Sequence, residues 1–111
     1  MLLCIDIGNT NIVMGIYRAE TLVTHWRIST DHQKMPDEYG MLLTELLSYH
    51  SLCPQEIDGV ALASVVPPVT TIFAEMTERY LSLEPLIVGS GIKTGVAIRY
   101  DNPRQVGADR I

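Results

Sequence analysis

The chain has 111 residues, which fits one domain or one half of a two-lobed protein. Hydrophobic residues make up 47% and charged residues 19%, so the composition allows a core and excludes a disordered tail. The net charge is −5, from 8 basic and 13 acidic residues, and no basic run is visible. This balance argues against nucleic acid as the main partner.

The two cysteines, Cys4 and Cys53, are too few for a disulfide framework in a chain of this size. No basic region precedes an apolar stretch at the N-terminus, so the sequence predicts no signal peptide. No apolar run approaches the ~20 residues that span a bilayer. We therefore expect a soluble, cytoplasmic protein without a membrane partner.

Three strands are predicted first, at residues 2–7, 11–18 and 22–30. Their short connections predict an antiparallel meander. The period then changes to that of an amphipathic helix, whose first turn holds Pro36 and two acids and whose apolar stripe is Tyr39, Leu42, Leu43, Leu46 and Leu47.

A continuous apolar strand, of the kind buried on both faces, is predicted at 59–66. Two prolines then open a second helix with Val69, Ile72, Phe73, Met76 and Tyr80 on one face. Further strands are predicted at 85–89 and 95–100, followed by a turn towards another helix. This order predicts an α/β fold, a mixed sheet with helices on its faces. Because the last residues resemble the start of an element, we expect the N-terminal half of a longer protein.

The stretch "DIGNTN" carries the first candidate chemistry. Gly8 can adopt a positive φ and let the backbone approach a ligand, while Asn9 and Thr10 offer side-chain donors. Asp6 could orient the water around Mg²⁺, which usually takes one or two carboxylates. A hairpin turn in which Asp6 caps its own loop explains the pattern equally well. The acid within an apolar strand favours the phosphate interpretation, because a buried charge needs a partner.

Other motifs are weaker. "GSGIKTG" at 89–95 lacks the glycine before Lys93 that a P-loop needs, and a strand follows it. The three histidines share no metal-ligand spacing with each other or with the cysteines.

The second candidate stretch is "YDNPRQVGADR" at 100–110. Gly107 and Ala108 leave room beside a carboxylate, Asp109, and a guanidinium, Arg110. Asp109 could accept a proton from a hydroxyl nucleophile, and Arg110 could hold oxyanions in its fork. Taken by itself, "ADR" is better explained as a surface pair at a helix start.

Together, "DIGNTN", "SVVPP" at 64–68 and "YDNPRQVGADR" closely resemble type III pantothenate kinases. "RISTD" and "DEYG" also resemble that family, so the resemblance covers the whole chain. It implies a ribonuclease-H-like domain of the actin-like ATPase superfamily, with a five-stranded mixed sheet in the order 3-2-1-4-5. In that sheet the first three strands are antiparallel and the fourth is parallel to the first. The family's second domain is absent from this sequence.

The resemblance also implies a function: ATP-dependent phosphorylation of pantothenate to 4'-phosphopantothenate, the first step of coenzyme A biosynthesis. It assigns ATP-phosphate binding to Asp6, Ile7, Gly8, Asn9, Thr10, Asn11, Ile12 and Val13, with Asp6 reaching Mg²⁺ through water. It assigns pantothenate binding to Tyr100, Gly107, Ala108, Asp109 and Arg110, with Asp109 as the catalytic proton acceptor.

Family members are usually homodimers that need a divalent cation, Mg²⁺, and a monovalent cation, K⁺ or NH₄⁺. The family has also been labelled a Baf-type transcriptional accessory factor, which the acidic composition does not support as direct DNA binding. The alternatives are a nucleotide-binding regulator of the same fold without kinase activity, and a sugar or acetate kinase.

Overall fold

The elements of the fold follow the predicted order. The computed structural model describes residues 1–88, and the strand predicted at 95–100 and the turn after it lie outside them. The elements are β1 (Leu2–Ile7), β2 (Asn11–Arg18), β3 (Thr21–Ser29), α1 (Pro36–Tyr49), a short 3-10 helix (Pro54–Glu56), β4 (Gly59–Ser64), α2 (Pro67–Leu81) and β5 (Leu86–Val88). No helix within residues 1–88 is long and apolar enough to cross a membrane.

The strands form one mixed sheet with the order β3-β2-β1-β4-β5. β2 pairs antiparallel with both β1 and β3, while β4 is parallel to β1 and β5 is parallel to β4. The predicted strand order and directions are therefore confirmed. β1 lies at the centre, with the hairpin partner β2 on one side and the crossover partner β4 on the other.

Both described α-helices cover the same face of this sheet. Their buried side chains and alternate residues of the central strands form one hydrophobic cluster. The strands contribute Leu3, Ile5, Ile7, Ile12, Met14, Ile16, Val60 and Leu62, and the helices contribute Tyr39, Leu43, Leu47, Val69, Phe73 and Met76. The two apolar stripes read from the sequence therefore face a common core.

The opposite face of the sheet carries Asp6. Successive side chains of a strand point to opposite faces, so Asp6 points away from the core that Ile5 and Ile7 enter. Its register partners are Val13 on β2 and Ala63 on β4. The sequence suggested a buried charge, but Asp6 is exposed.

β4 also differs from its prediction as a strand buried on both faces. Val60 and Leu62 are 4% and 0% exposed, whereas Ala61 and Ala63 on the other face are only partly buried. The apolar run is continuous because small alanines occupy the second face. The strand ends at Ser64, two residues earlier than predicted, because the Ser64 hydroxyl accepts a hydrogen bond from the N–H of Val66 at 2.9 Å and turns the chain.

A polar cluster joins the two helices at the surface. The Oδ1 atom of Asp37 accepts hydrogen bonds from Arg79 Nη1 at 2.8 Å and from the Tyr80 hydroxyl at 2.9 Å. These two hydrogen bonds, from Arg79 first, lower the pKa of Asp37 below its ordinary value of 3.8. Beneath them Gly40 of α1 lies against the ring of Tyr80.

Candidate functional site

The turn between β1 and β2 lies where two parallel strands end side by side. Ile7 of β1 and Ser64 of β4 are register partners, and the N–H of Val65 donates to the carbonyl of Ile7 at 3.1 Å. In open α/β sheets, ligands bind outside the carboxyl ends of the strands, where the chain leaves to opposite sides. The β1–β2 turn occupies that position, which makes it the candidate site.

The backbone of the turn is closed by a hydrogen bond from the N–H of Gly8 to the carbonyl of Asn11 at 2.8 Å. No glycine within residues 1–88 has a positive φ, so the conformational reason given for Gly8 was wrong. Space is the physical reason instead. A Cβ atom on Gly8 would lie 3.1 Å from the carbonyl oxygen of Asn11, which is closer than side chains normally approach.

The side chains of the predicted phosphate-binding stretch divide into two groups. The exposed group is polar and consists of Asp6, Asn9, Thr10 and Asn11. The apolar group faces the core or is partly buried: Ile7 and Ile12 are 0% exposed, and Val13 is partly buried beside Asp6. An anion at the turn can therefore meet the polar side chains directly, whereas Ile7 and Ile12 offer only backbone groups.

Thr30, a residue that the sequence prediction missed, forms hydrogen bonds to the backbone of the turn. Thr30 directly follows β3, and its hydroxyl donates to the carbonyl of Gly8 at 2.8 Å. Its backbone N–H donates to the carbonyl of Thr10 at 2.9 Å. The sequence assigns no role to Thr30 beyond the resemblance of "RISTD" to the family. The signal that could have identified it is a hydroxyl residue at the end of the strand that pairs with β2.

The next residue of this loop is fixed by the core. The hydroxyl of Tyr39 donates to the carbonyl of Asp31 at 2.9 Å and accepts a hydrogen bond from the N–H of Asp31 at 3.0 Å. Burial raises the pKa of Tyr39, which keeps the hydroxyl protonated. The ring of Tyr39 is 1% exposed and lies 4.5 Å from the ring of Phe73 between centroids. The β3–α1 loop is therefore anchored to the helices beneath it.

The start of α2, in the "SVVPP" stretch, lies beside the turn but offers few donors to an anion. A helix N-terminus usually binds anions through free N–H groups. Here Pro67 and Pro68 have none, and the N–H groups of Val69 and Thr70 donate to the carbonyl of Val66 at 3.0 Å each. Within residues 1–88, the β1–β2 turn therefore offers more free donors to an anion at this edge than the start of α2 does.

In the described part of the chain, the predicted metal-binding residue at the turn is Asp6. Within residues 1–88 no three His, Cys, Asp or Glu side chains come together in a group that could hold a metal ion. Mg²⁺ commonly keeps several waters and uses one or two carboxylates together with substrate phosphates. An exposed carboxylate beside a turn that is predicted to bind phosphate fits that pattern.

The predicted pantothenate-binding half of the site is not part of this geometry. Tyr100, Gly107, Ala108, Asp109 and Arg110 lie outside the described residues. The structure therefore gives the position of the turn and its supports, and the roles of these five residues stay predictions.

The model of the type III pantothenate kinase family matches residues 2–111. The chain belongs to this family. Type III pantothenate kinases of Moorella thermoacetica and Halalkalibacterium halodurans are 54% and 51% identical to it over 111 residues. These alignments cover 100% of this chain and 44% of each relative, so the chain spans less than half the length of these type III pantothenate kinases.

Solved structures show the same fold at low identity. A Porphyromonas gingivalis protein assigned as an N-acetylglucosamine kinase has a TM-score of 0.59 and 18% identity, covering 86% of this chain and 39% of its own. The ethanolamine utilization protein EutJ of Carboxydothermus hydrogenoformans has a TM-score of 0.51 and 12% identity, covering 77% and 43%. With the sheet order above, these likenesses confirm the predicted fold of the chain.

Proposed function

We propose that this chain is the N-terminal domain, residues 1–111, of a longer enzyme that uses ATP to phosphorylate pantothenate to 4'-phosphopantothenate, the first step of coenzyme A biosynthesis. One observation carries the proposal. A turn with exposed polar groups lies at the carboxyl ends of β1 and β4, in a chain whose family acts on pantothenate. Phosphoryl transfer requires mainly positioning and neutralisation of charge, which such a turn can provide.

In this proposal the stretch from Asp6 to Val13 holds the phosphates of ATP. Backbone N–H groups of the turn, among them that of Asn9, and the side chains of Asn9, Thr10 and Asn11 donate to phosphate oxygens. Asp6 accepts hydrogen bonds from the waters of a divalent cation, Mg²⁺, which would neutralise phosphate charge when bound. Ile7 and Ile12 hold this backbone in place by filling the core.

The acceptor side of the reaction is assigned to 100–110. Asp109 accepts the proton of the pantothenate hydroxyl while the hydroxyl oxygen bonds to the γ-phosphorus and ADP leaves. Gly107 and Ala108 leave room for pantothenate, Tyr100 donates one hydrogen bond to it, and Arg110 keeps Asp109 ionised. The proposed enzyme also requires a monovalent cation, K⁺ or NH₄⁺. It is proposed to be a homodimer located in the cytoplasm.

The decisive experiment uses the full-length protein with ATP, Mg²⁺ and K⁺ and follows formation of 4'-phosphopantothenate. Glucose and acetate serve as alternative acceptors. Turnover with pantothenate but not with glucose or acetate supports the proposal. ATP binding without turnover of any acceptor supports the alternative, a nucleotide-binding regulator without kinase activity. Asp109→Ala should then lower kcat by about 10²- to 10⁴-fold, the usual contribution of a general base, and leave ATP binding nearly unchanged.

A further inference from the structure

Thr30 contacts the candidate phosphate turn at two points. Its hydroxyl donates to the carbonyl of Gly8 at 2.8 Å, and its N–H donates to the carbonyl of Thr10 at 2.9 Å. The turn's own closing bond, from the N–H of Gly8 to the carbonyl of Asn11, leaves the Gly8 carbonyl to the hydroxyl of Thr30. Thr30, at the end of β3, therefore fixes two peptide groups of the turn.

These contacts set the direction of two amide groups. Every peptide bond in residues 1–88 is trans, so the carbonyl and the N–H of one peptide group point in opposite directions. With the carbonyls of Gly8 and Thr10 directed at Thr30, the N–H groups of Asn9 and Asn11 point away from it. Within residues 1–88 the N–H of Asn9 meets no backbone acceptor.

The reverse orientation of the Gly8–Asn9 peptide group would present a carbonyl oxygen where an anion is expected. A carbonyl dipole repels phosphate, whereas N–H groups attract it. Rotating this peptide group would also leave the Thr30 hydroxyl without its partly buried acceptor. The Thr30 side chain thus favours the orientation that suits an anion.

Thr30 is itself held firmly. The adjacent Asp31 is bonded through both its N–H and its carbonyl to the hydroxyl of Tyr39, whose ring is fully packed in the core. The direction imposed on the turn therefore has a rigid origin in α1 and does not depend on an exposed side chain.

We propose that Thr30 is a positioning residue for the nucleotide site, holding the β1–β2 turn so that its amide groups face the ATP phosphates. This inference rests on the proposed role of the turn in binding those phosphates. Thr30 acts through Gly8 and Thr10 and needs no contact with the nucleotide.

The test compares Thr30→Val and Thr30→Ser in the full-length protein. Thr30→Val keeps the shape and the backbone hydrogen bond but removes the hydroxyl, and Thr30→Ser restores the hydroxyl. Thr44→Val is the matched control, because the Thr44 hydroxyl also donates to a glycine carbonyl, that of Gly40 at 2.9 Å, in a partly buried position within α1. ATP affinity, KM for ATP, KM for pantothenate, kcat and Tm are measured for each.

Thr30→Val should raise the Kd and the KM for ATP by about tenfold, the effect of losing one hydrogen bond to a partly buried acceptor. The KM for pantothenate should stay close to that of the wild type, and Thr30→Ser should recover most of the ATP affinity. Thr44→Val should leave ATP affinity unchanged.

Equal ATP affinity in Thr30→Val and Thr44→Val would overturn the proposal and leave Thr30 a structural role only. A wild-type protein that binds ATP but does not phosphorylate pantothenate would contradict the proposed function, while the ATP affinities would still test Thr30. A wild-type protein that binds no ATP would overturn both.

Discussion

Asp6 differs from its neighbours in β1 by the face of the sheet on which it lies. Ile5 and Ile7 are 2% and 0% exposed in the core, whereas Asp6 is exposed on the opposite face. Its charge is therefore not needed to fill or balance the core. We therefore expect a change of charge at this position to leave the packing of the core side of β1 intact.

We expect Asp6→Asn in the full-length protein to lower kcat by about 10²-fold or more, because a bound divalent cation contributes several kcal/mol to transition-state stabilisation. Tm should change little. Glu20→Gln, an exposed change in the β2–β3 turn, is the control. Near-normal turnover of Asp6→Asn in a steady-state assay would contradict the assigned role.

A second prediction at the residue scale concerns Tyr39. Tyr39→Phe keeps the ring contact with Phe73 but leaves the N–H and the carbonyl of Asp31 without their partner. Unpaired, partly buried polar groups cost about 1–3 kcal/mol, so the free energy of unfolding should fall by that amount. Urea denaturation measures it, with Tyr49→Phe, at an 84% exposed tyrosine, as the control. A loss no greater than that of the control would show that Asp31 finds other partners.

At the scale of elements, the contact between α1 and α2 depends on the absence of a side chain at position 40. A Cβ atom on Gly40 would overlap the ring of Tyr80, and that ring is held by the hydrogen bond of its hydroxyl to Asp37. Alanine is favoured over glycine within a helix by about 1 kcal/mol, so propensity and packing oppose each other here.

Packing should win, since overpacking a well-filled contact costs about 1–3 kcal/mol and the overlap involves several ring atoms. We predict that Gly40→Ala lowers Tm, measured by thermal unfolding. Gly59→Ala is the control, because its Cβ would meet only the end of the Leu2 side chain at 3.4 Å. In a Tyr80→Leu background Gly40→Ala should lose its cost, and an unchanged cost there would contradict the overlap.

The cluster around Asp37 predicts a pH dependence. The pKa of Asp37 is lowered in the folded state, first by the hydrogen bond from Arg79 and then by that from Tyr80. A lowered carboxyl pKa stabilises the fold above the ordinary value of 3.8, and this contribution is lost as the pH falls through the lower folded-state pKa.

Asp37→Asn should therefore reduce Tm at pH 7, and the difference from the wild type should shrink below pH 3.8 and vanish once the pH is below the lower folded-state pKa. Thermal unfolding between neutral and acidic pH measures this, with Glu45→Gln on the same helix as the control. A difference in Tm that stays constant over the whole range would show that the charge of Asp37 contributes nothing.

For the molecule as a whole, much of the fold was predictable from the sequence. Three strands joined by short loops can form an antiparallel meander. The two predicted helices each lie between apolar strands, so they are expected to form crossover connections over the sheet. Together these conditions leave few possible topologies. The stripes beginning at Tyr39 and Val69 indeed enter one core. The family's sheet order then selected the arrangement that the structure has.

What the sequence did not reveal depends on contacts between distant residues. The pairing of Thr30 with Gly8 spans 22 positions, and no local pattern marks it. A side chain at Gly8 would meet the nearby carbonyl of Asn11, whereas the sequence suggested conformational freedom and a close approach to a ligand as the reasons for this glycine. β4 ends early because the Ser64 hydroxyl accepts a hydrogen bond from the N–H of Val66, and strand propensity does not predict this contact.

The candidate site was predictable as a stretch but not as an arrangement. The polar residues Asp6, Asn9, Thr10 and Asn11 were identified, and the structure places all four in the open at one edge of the sheet. The burial of the neighbouring residues was not predictable in the same way. Ile7 and Ile12 are 0% exposed, so their side chains cannot reach a ligand.

The alternation along β1 has a consequence for how such a domain can change over generations. Its odd-numbered residues maintain the core, and the even-numbered Asp6 lies exposed on the opposite face, beside the candidate site. Selection for stability and selection for chemistry therefore act on interleaved positions of one strand. A descendant can acquire a new reaction by exchanging residues on the open face while inheriting its interior unchanged.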